Sequence, residues 1–121
     1  MYRRRFERLV AKALRQLPQD IRALMDNVSV VVEDEPTPAQ LAAAGLPPDD
    51  TLLGLYQGVP LTDRTASYGM VLPDKITIFR KPIEARCDSD QAVVHEVRRT
   101  VVHEVAHHFG LSEARLRRLR R

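Results

Sequence analysis

This chain of 121 residues has a single cysteine, Cys87. No internal disulfide can form, and thiolates cannot build a structural zinc site. A lone cysteine suits a reducing cytoplasm, and Cys87 is expected to be a small loop or core residue rather than a reactive thiol. Long apolar runs are also missing; none approaches the ~18 residues that span a bilayer. The basic start Met1-Tyr2-Arg3-Arg4-Arg5 has no signal core behind it, because Glu7, Arg8, Lys12 and Arg15 interrupt the apolar residues. The sequence therefore predicts a cytoplasmic protein with no membrane partner. No aromatic interleaves the arginine runs at 3–5 and 117–121, so they lack a stacking platform for bases.

What is present is ordinary for a globular chain. The hydrophobic share of 44% argues against wholesale disorder. The length suits one domain over 1–121 with one modest core. The net charge of +3 hides an asymmetry. Arg3, Arg4, Arg5 and Arg8 make one end basic; Arg115, Arg117, Arg118, Arg120 and Arg121 do the same at the other. The stretch 20–63 is acidic, with Glu33, Asp34, Glu35, Asp49 and Asp50 prominent. Such arginines can attract nucleic acid, but solvated faces are the expected reading, and nucleic acid is not the expected partner.

Phe6, Leu9, Val10, Ala13, Leu14 and Leu17 recur at helical spacing and predict an amphipathic helix, interrupted by Pro18. A second short helix or turn is expected over 18–25. Val28 to Val32 reads as a strand. Thr37, Pro38 and Gln40 carry an N-cap, a proline at the first helical position and a capping-box glutamine, with Gly45 placed to end that helix. Leu52 to Tyr56 and Lys75 to Arg80 read as two further strands, the second ended by Pro82, with mostly irregular chain over 61–73. From Asp88 to Phe109 there is no glycine or proline. Asp88-x-x-Gln91 offers a capping box, and Val93, Val94, Val97, Val101, Val102 and Val105 form a broad apolar face. Valine favours strands, but strands seldom reach such a length, so a long helix buried against the sheet is expected. Ser112 would cap a final helix carrying Leu116 and Leu119.

That long helix holds the decisive motif, His103-Glu104-Val105-Ala106-His107, followed by Gly110 and Glu113. Helical residues four apart lie about 40° apart around the axis and about 6 Å along it, so both imidazoles can reach one ion. Zinc is the usual ion for two such histidines, with a third protein ligand and an open position for water. Glu104, on the adjacent face, can take a proton from that water. The competing reading is a buried helix whose histidines are satisfied structurally. An internal control lies eight residues earlier, where Val93-Val94-His95-Glu96-Val97 nearly repeats Val101-Val102-His103-Glu104-Val105. Arg99 stands there in place of a second histidine, and His95 is about 12 Å along the helix from His103, too far to share an ion.

A turn at Gly110 would bring residue 113 back towards the ion, making Glu113 the candidate third ligand. Its alternative role is a first-turn acid of the final helix, favoured by the macrodipole. His108 is the rival ligand, but it lies about 100° around the helix from His107 and suits a supporting or substrate-side role better.

Three segments together carry a resemblance: Leu53-Gly54-Leu55-Tyr56-Gln57-Gly58-Val59-Pro60-Leu61, Leu72-Pro73-Asp74-Lys75-Ile76-Thr77-Ile78-Phe79 and His103-Glu104-Val105-Ala106-His107-His108-Phe109-Gly110. The chain resembles the small bacterial minimal zincins, predicted zinc metallopeptidases of about this size, along nearly its whole length. The resemblance implies an α+β fold with a small mixed sheet packed against helices, one of them the active-site helix. It implies one zinc per chain, His103 and His107 as ligands and Glu104 as general base. The family's third ligand is an Asp, and Glu113 stands in its place, one methylene longer.

The function expected is zinc-dependent hydrolysis of peptide bonds in peptides or unfolded proteins. An exposed strand edge within 75–80 is the expected place for an extended peptide to pair. Tyr56, Tyr68 and His108 are candidates to stabilise the oxyanion, with structural roles as their alternative. A zinc-stabilised peptide-binding or chaperone-like module is the rival class, although it would have no need of Glu104. A zinc-dependent RNA-processing nuclease would suit the arginine ends; small proteins of that kind use three histidines and lack the glutamate found here.

Overall fold

The computed structural model describes residues 2–58 and 72–112. Tyr68, Glu113 and the expected final helix with Leu116 and Leu119 lie outside the described residues, as does most of the stretch read as irregular.

Helix α1, Arg3–Arg15, buries Phe6, Val10 and Ala13 along the face that the spacing predicts. Leu17 and Ile21 extend this seam into α2, Gln19–Leu24. Strand β1, Val28–Glu33, follows. Helix α3, Pro38–Ala43, opens with the expected capping box. Gln40 N–H donates to Thr37 Oγ1 at 3.1 Å, and Thr37 N–H donates to the Gln40 side chain at 2.8 Å. It ends at Gly45, whose φ of 75° is open to glycine. There Leu46 N–H bonds to Leu41 O and Gly45 N–H to Ala42 O, the paired bonds of a Schellman turn.

Strand β2 spans Gly54–Gln57 and β3 spans Asp74–Phe79. The sheet order is β1-β3-β2, with β1 parallel and β2 antiparallel to β3. It is thus a small mixed sheet, and the architecture is α+β. The expectation that the stretch 75–80 offers a free edge is overturned, because β3 is the central strand and is paired on both sides. Its burial gives the reason: Ile76, Thr77, Ile78 and Phe79 are all fully buried. Residues that alternate between two faces are covered on both.

Nor does Pro82 end the strand in a loop. Residues from Arg80 onward form a short helix, α4, Arg80–Glu84. Pro82 is its third residue, where a missing N–H breaks no intrahelical bond. Lys81 N–H instead donates to Asp34 O, tying α4 to the chain after β1. The Arg80 guanidinium adds a 3.0 Å contact to Asp34 and a 3.1 Å contact to Glu84.

Helix α5, Asp90–His108, is the long helix. Its N-cap is Ser89, whose Oγ accepts from Ala92 N–H at 3.1 Å. The box proposed from Asp88 and Gln91 is therefore displaced by one residue, to a cap without a reciprocal side chain. All six valines of its apolar face are buried, together with Thr100 and Ala106. They pack against α1, α2, α4, β2 and β3, joining Ile76 and Ile78 in one core. Cys87 packs against this core from the loop before α5. Burial, with the Glu96 and Asp88 carboxylates nearby, pushes its thiol pKa up, away from the reactive thiolate.

Helix α5 closes with a second Schellman turn. Leu111 N–H bonds to Ala106 O and Gly110 N–H to His107 O, with Gly110 at φ 65°. Leu111 turns back against the core. The turn expected at Gly110 therefore forms, while residue 113 lies outside the described residues. No helix among the described residues is long and apolar enough to cross a membrane.

Candidate active site

The last turns of α5 bury Val101, Val102, Val105 and Ala106 while leaving His103 and His107 exposed. This follows from helical geometry: the buried face fixes the rotation, and the two histidines fall together on the opposite side. Both line a cleft of about 480 Å³ with Glu104, His108, Gly54, Leu55 and Tyr56. Neither imidazole has a hydrogen-bond partner among the described residues. Two uncommitted nitrogen donors on one cleft wall fit the chemistry of a zinc pair. No group of three metal-ligating side chains forms among the described residues. Glu113, the sequence's third candidate, lies beyond them.

Glu104 is held differently. Its Oε1 accepts from the backbone N–H of Tyr56 at 3.0 Å. That bond requires β2 to lie close to α5, and Gly54 allows the approach. A Cβ at Gly54 would stand 2.7 Å from Thr100 Cγ2 and 3.2 Å from Thr77 O. Thr100 is itself fixed by donating its hydroxyl to Glu96 O at 2.8 Å. Gly54 is therefore what seats β2 beside the motif, and nothing in its local sequence marks it for that role.

Tyr56 and His108 meet at the far end of the cleft. Their rings stack with centroids 3.9 Å apart, and Phe109 packs edge-on against both. The Tyr56 hydroxyl donates to Asp74 Oδ2 at 2.6 Å, and His108 Nε2 lies 3.8 Å from the same oxygen. Asp74 begins β3 and is only 6% exposed. His108 thus faces Tyr56 and Asp74. Asp74 escaped the sequence reading because nothing local marks it; its partners come from β2 and the end of α5. Tyr68, the remaining oxyanion candidate, is outside the described residues.

His95 is exposed near the start of α5, apart from this cleft. Two of the four N-terminal arginines face carboxylates of their own chain. Arg3 contacts Glu7 at 3.1 Å and also donates to Val32 O, while Arg5 contacts Asp90 at 2.6 Å.

The family model of zincin-like metallopeptidases matches residues 25–121. The chain belongs to that family. Among structures, this zincin-like chain is similar to a conserved hypothetical protein from Thermo thermophilus. The two are 25% identical with a TM-score of 0.52, covering 87% of this chain and 91% of that one. No curated protein matches. Membership of the zincin-like family implies zinc as its cofactor and a metallopeptidase-like fold.

Proposed function

We propose that this protein is a zinc-dependent peptidase, with His103, His107 and Glu113 holding one zinc and Glu104 acting as general base. The observation that carries the reading is the placement of Glu104. It lines the same cleft as both histidines, and one of its oxygens is anchored by Tyr56 N–H. A module that only bound the ion would not need that carboxylate.

When bound, zinc supplies a Lewis acid that polarises a scissile carbonyl and makes water more acidic. The chain's own residues do the rest. With Oε1 engaged, Glu104 presents Oε2 to take a proton from the attacking water and pass it to the leaving amine. The Asp74 carboxylate fixes the Tyr56 ring, which supports His108 beside His107. Strand β2 borders the cleft at the edge of the sheet, and an extended peptide or unfolded segment would lie along it, with the Tyr56 N–H kept by Glu104. The pairing of Arg3 and Arg5 with carboxylates of the chain leaves less basic surface at that end for nucleic acid.

The test is Glu104→Gln, which keeps shape and zinc but removes the base. Cleavage of flexible peptides should fall by about a hundred- to ten-thousand-fold, the usual weight of general-base catalysis. Equal rates in wild type and variant would sink the mechanism. Zinc-loaded wild type that binds peptides without cutting them would favour the binding module.

A further inference from the structure

The cleft does not stop at His103. A second hollow of about 310 Å³ adjoins it and shares Leu52, Gly54, His103 and Glu104 with it. This hollow continues towards the start of α5, past Thr100 to Glu96 and Arg99. Arg99 stands on the stripe that carries both candidate ligands. Gln91, His95, Arg99, His103 and His107 follow at four-residue spacing, and all are exposed. Each step along the stripe turns by about 40° and rises about 6 Å.

Arg3, Arg5 and Arg80 contact carboxylates of their own chain. The Arg99 guanidinium is one of several with no carboxylate in ion-pair range among the described residues, and it is the one that lines this hollow. Glu96 and Glu104 line the same hollow, yet neither pairs with it. A planar cation at the end of a groove, with its fork uncommitted, suits a carboxylate brought by a ligand.

We propose that Arg99 is the carboxylate-binding subsite of this cleft, recognising an acidic group two or three residues from the scissile bond. The location rests on the peptidase reading above. Along the axis Arg99 lies about 6 Å from His103 and about 12 Å from His107. The centre between the histidines is thus about 9 Å away, and an extended peptide advances about 3.3 Å per residue. The acidic group is either an Asp or Glu side chain or the free carboxylate of the peptide's C-terminus.

The experiment uses the zinc-loaded full chain and a peptide series in which glutamate replaces glutamine at each position in turn, with the C-terminus free or amidated. One register should be cleaved about three- to fivefold better in kcat/KM at low salt, fading as salt is added, as for an exposed charge pair. Arg99→Gln should bring the glutamate-to-glutamine ratio close to one, and Arg99→Glu should turn the preference towards lysine. An advantage that follows the free terminus rather than the side chain assigns the terminal carboxylate. An acid preference unchanged in Arg99→Gln, or absent from wild type, overturns the proposal. Binding of the same peptides to Glu104→Gln protein is measured in parallel by fluorescence anisotropy. An Arg99-dependent preference in Kd without wild-type cleavage keeps the subsite and rejects the peptidase reading. Cleavage without that preference does the reverse.

Discussion

The two halves of α5 carry nearly the same sequence and do different things. Val93-Val94-His95-Glu96-Val97 and Val101-Val102-His103-Glu104-Val105 both bury their three valines and both expose their histidine. The difference lies in what the rest of the chain brings to each. Strand β2 comes down on the second half, so Glu104 meets the Tyr56 N–H, and His107 completes the exposed pair. In the first half the position equivalent to His107 is Arg99. The valines build a helix; the site is built by the strand laid against it and by one residue a turn further on.

The largest expected effect tests that difference directly. His103→Ala with His107→Ala should reduce zinc from about one per chain to near none. His95→Ala should leave the metal content as it is. Elemental analysis of protein purified without chelator or metal-binding tag reads both, and full zinc in the double variant would remove the site. The acids sharpen the contrast: against the large loss expected for Glu104→Gln, Glu96→Gln should keep hydrolysis of peptides without acidic residues within about twofold, since it removes no group that touches the scissile bond.

A smaller effect should come from the contact that joins strand to helix. Gly54→Ala puts a methyl 2.7 Å from Thr100 Cγ2, so β2 must move or the threonine must turn. Overpacking of this kind destabilises by about 1–3 kcal/mol. Urea unfolding should show that loss, and hydrolysis should fall with it as the Tyr56–Glu104 bond lengthens. Thr100→Ser deletes Cγ2 and keeps the hydroxyl, so the double variant should recover part of both. If Thr100→Ser restores nothing, the damaging contact is with Thr77 O of the neighbouring strand β3 instead.

The smallest effect lies away from both halves. The Arg80 guanidinium beside Asp34 holds its carboxyl below the ordinary value of 3.8. A lowered carboxyl stabilises the fold above its unfolded-state pKa, and the benefit disappears as pH falls through the lower folded value. Asp34→Asn should therefore lower Tm slightly near neutrality, and the gap should close in acid below about pH 4. Melting curves across that range check it, and a gap that widened in acid would reverse the assigned sign.

Local chemistry made much of this fold readable in the sequence. The Thr37–Gln40 box and the turns at Gly45 and Gly110 are each set by a few neighbouring residues, and each forms as expected. The valine face of α5 was decisive because its length outweighed its strand propensity. What the sequence concealed depends on residues distant along the chain. Alternation in β3 does not reveal that strands pair on both its sides. Pro82 reads as a stop unless the helix around it is known to be in its first turn. Gly54 has no distinguishing context until Thr100 is set against it, and Asp74 none until Tyr56 and His108 arrive. The histidine pair was legible because both members lie on one helix, whereas the cleft they face is tertiary.

The Schellman turn at Gly110 also fixes where the backbone of α5 carries its charge. The peptide dipoles of the nineteen-residue helix add to roughly half a negative charge at its final turn. His107 lies in that turn, and His95 lies far from it. A cation held there would gain about 0.3–1 kcal/mol from the main chain alone. That attraction belongs to no side chain, so it persists when either histidine is replaced, and it gives the end of α5 a polarity that its first half, however similar in sequence, cannot have.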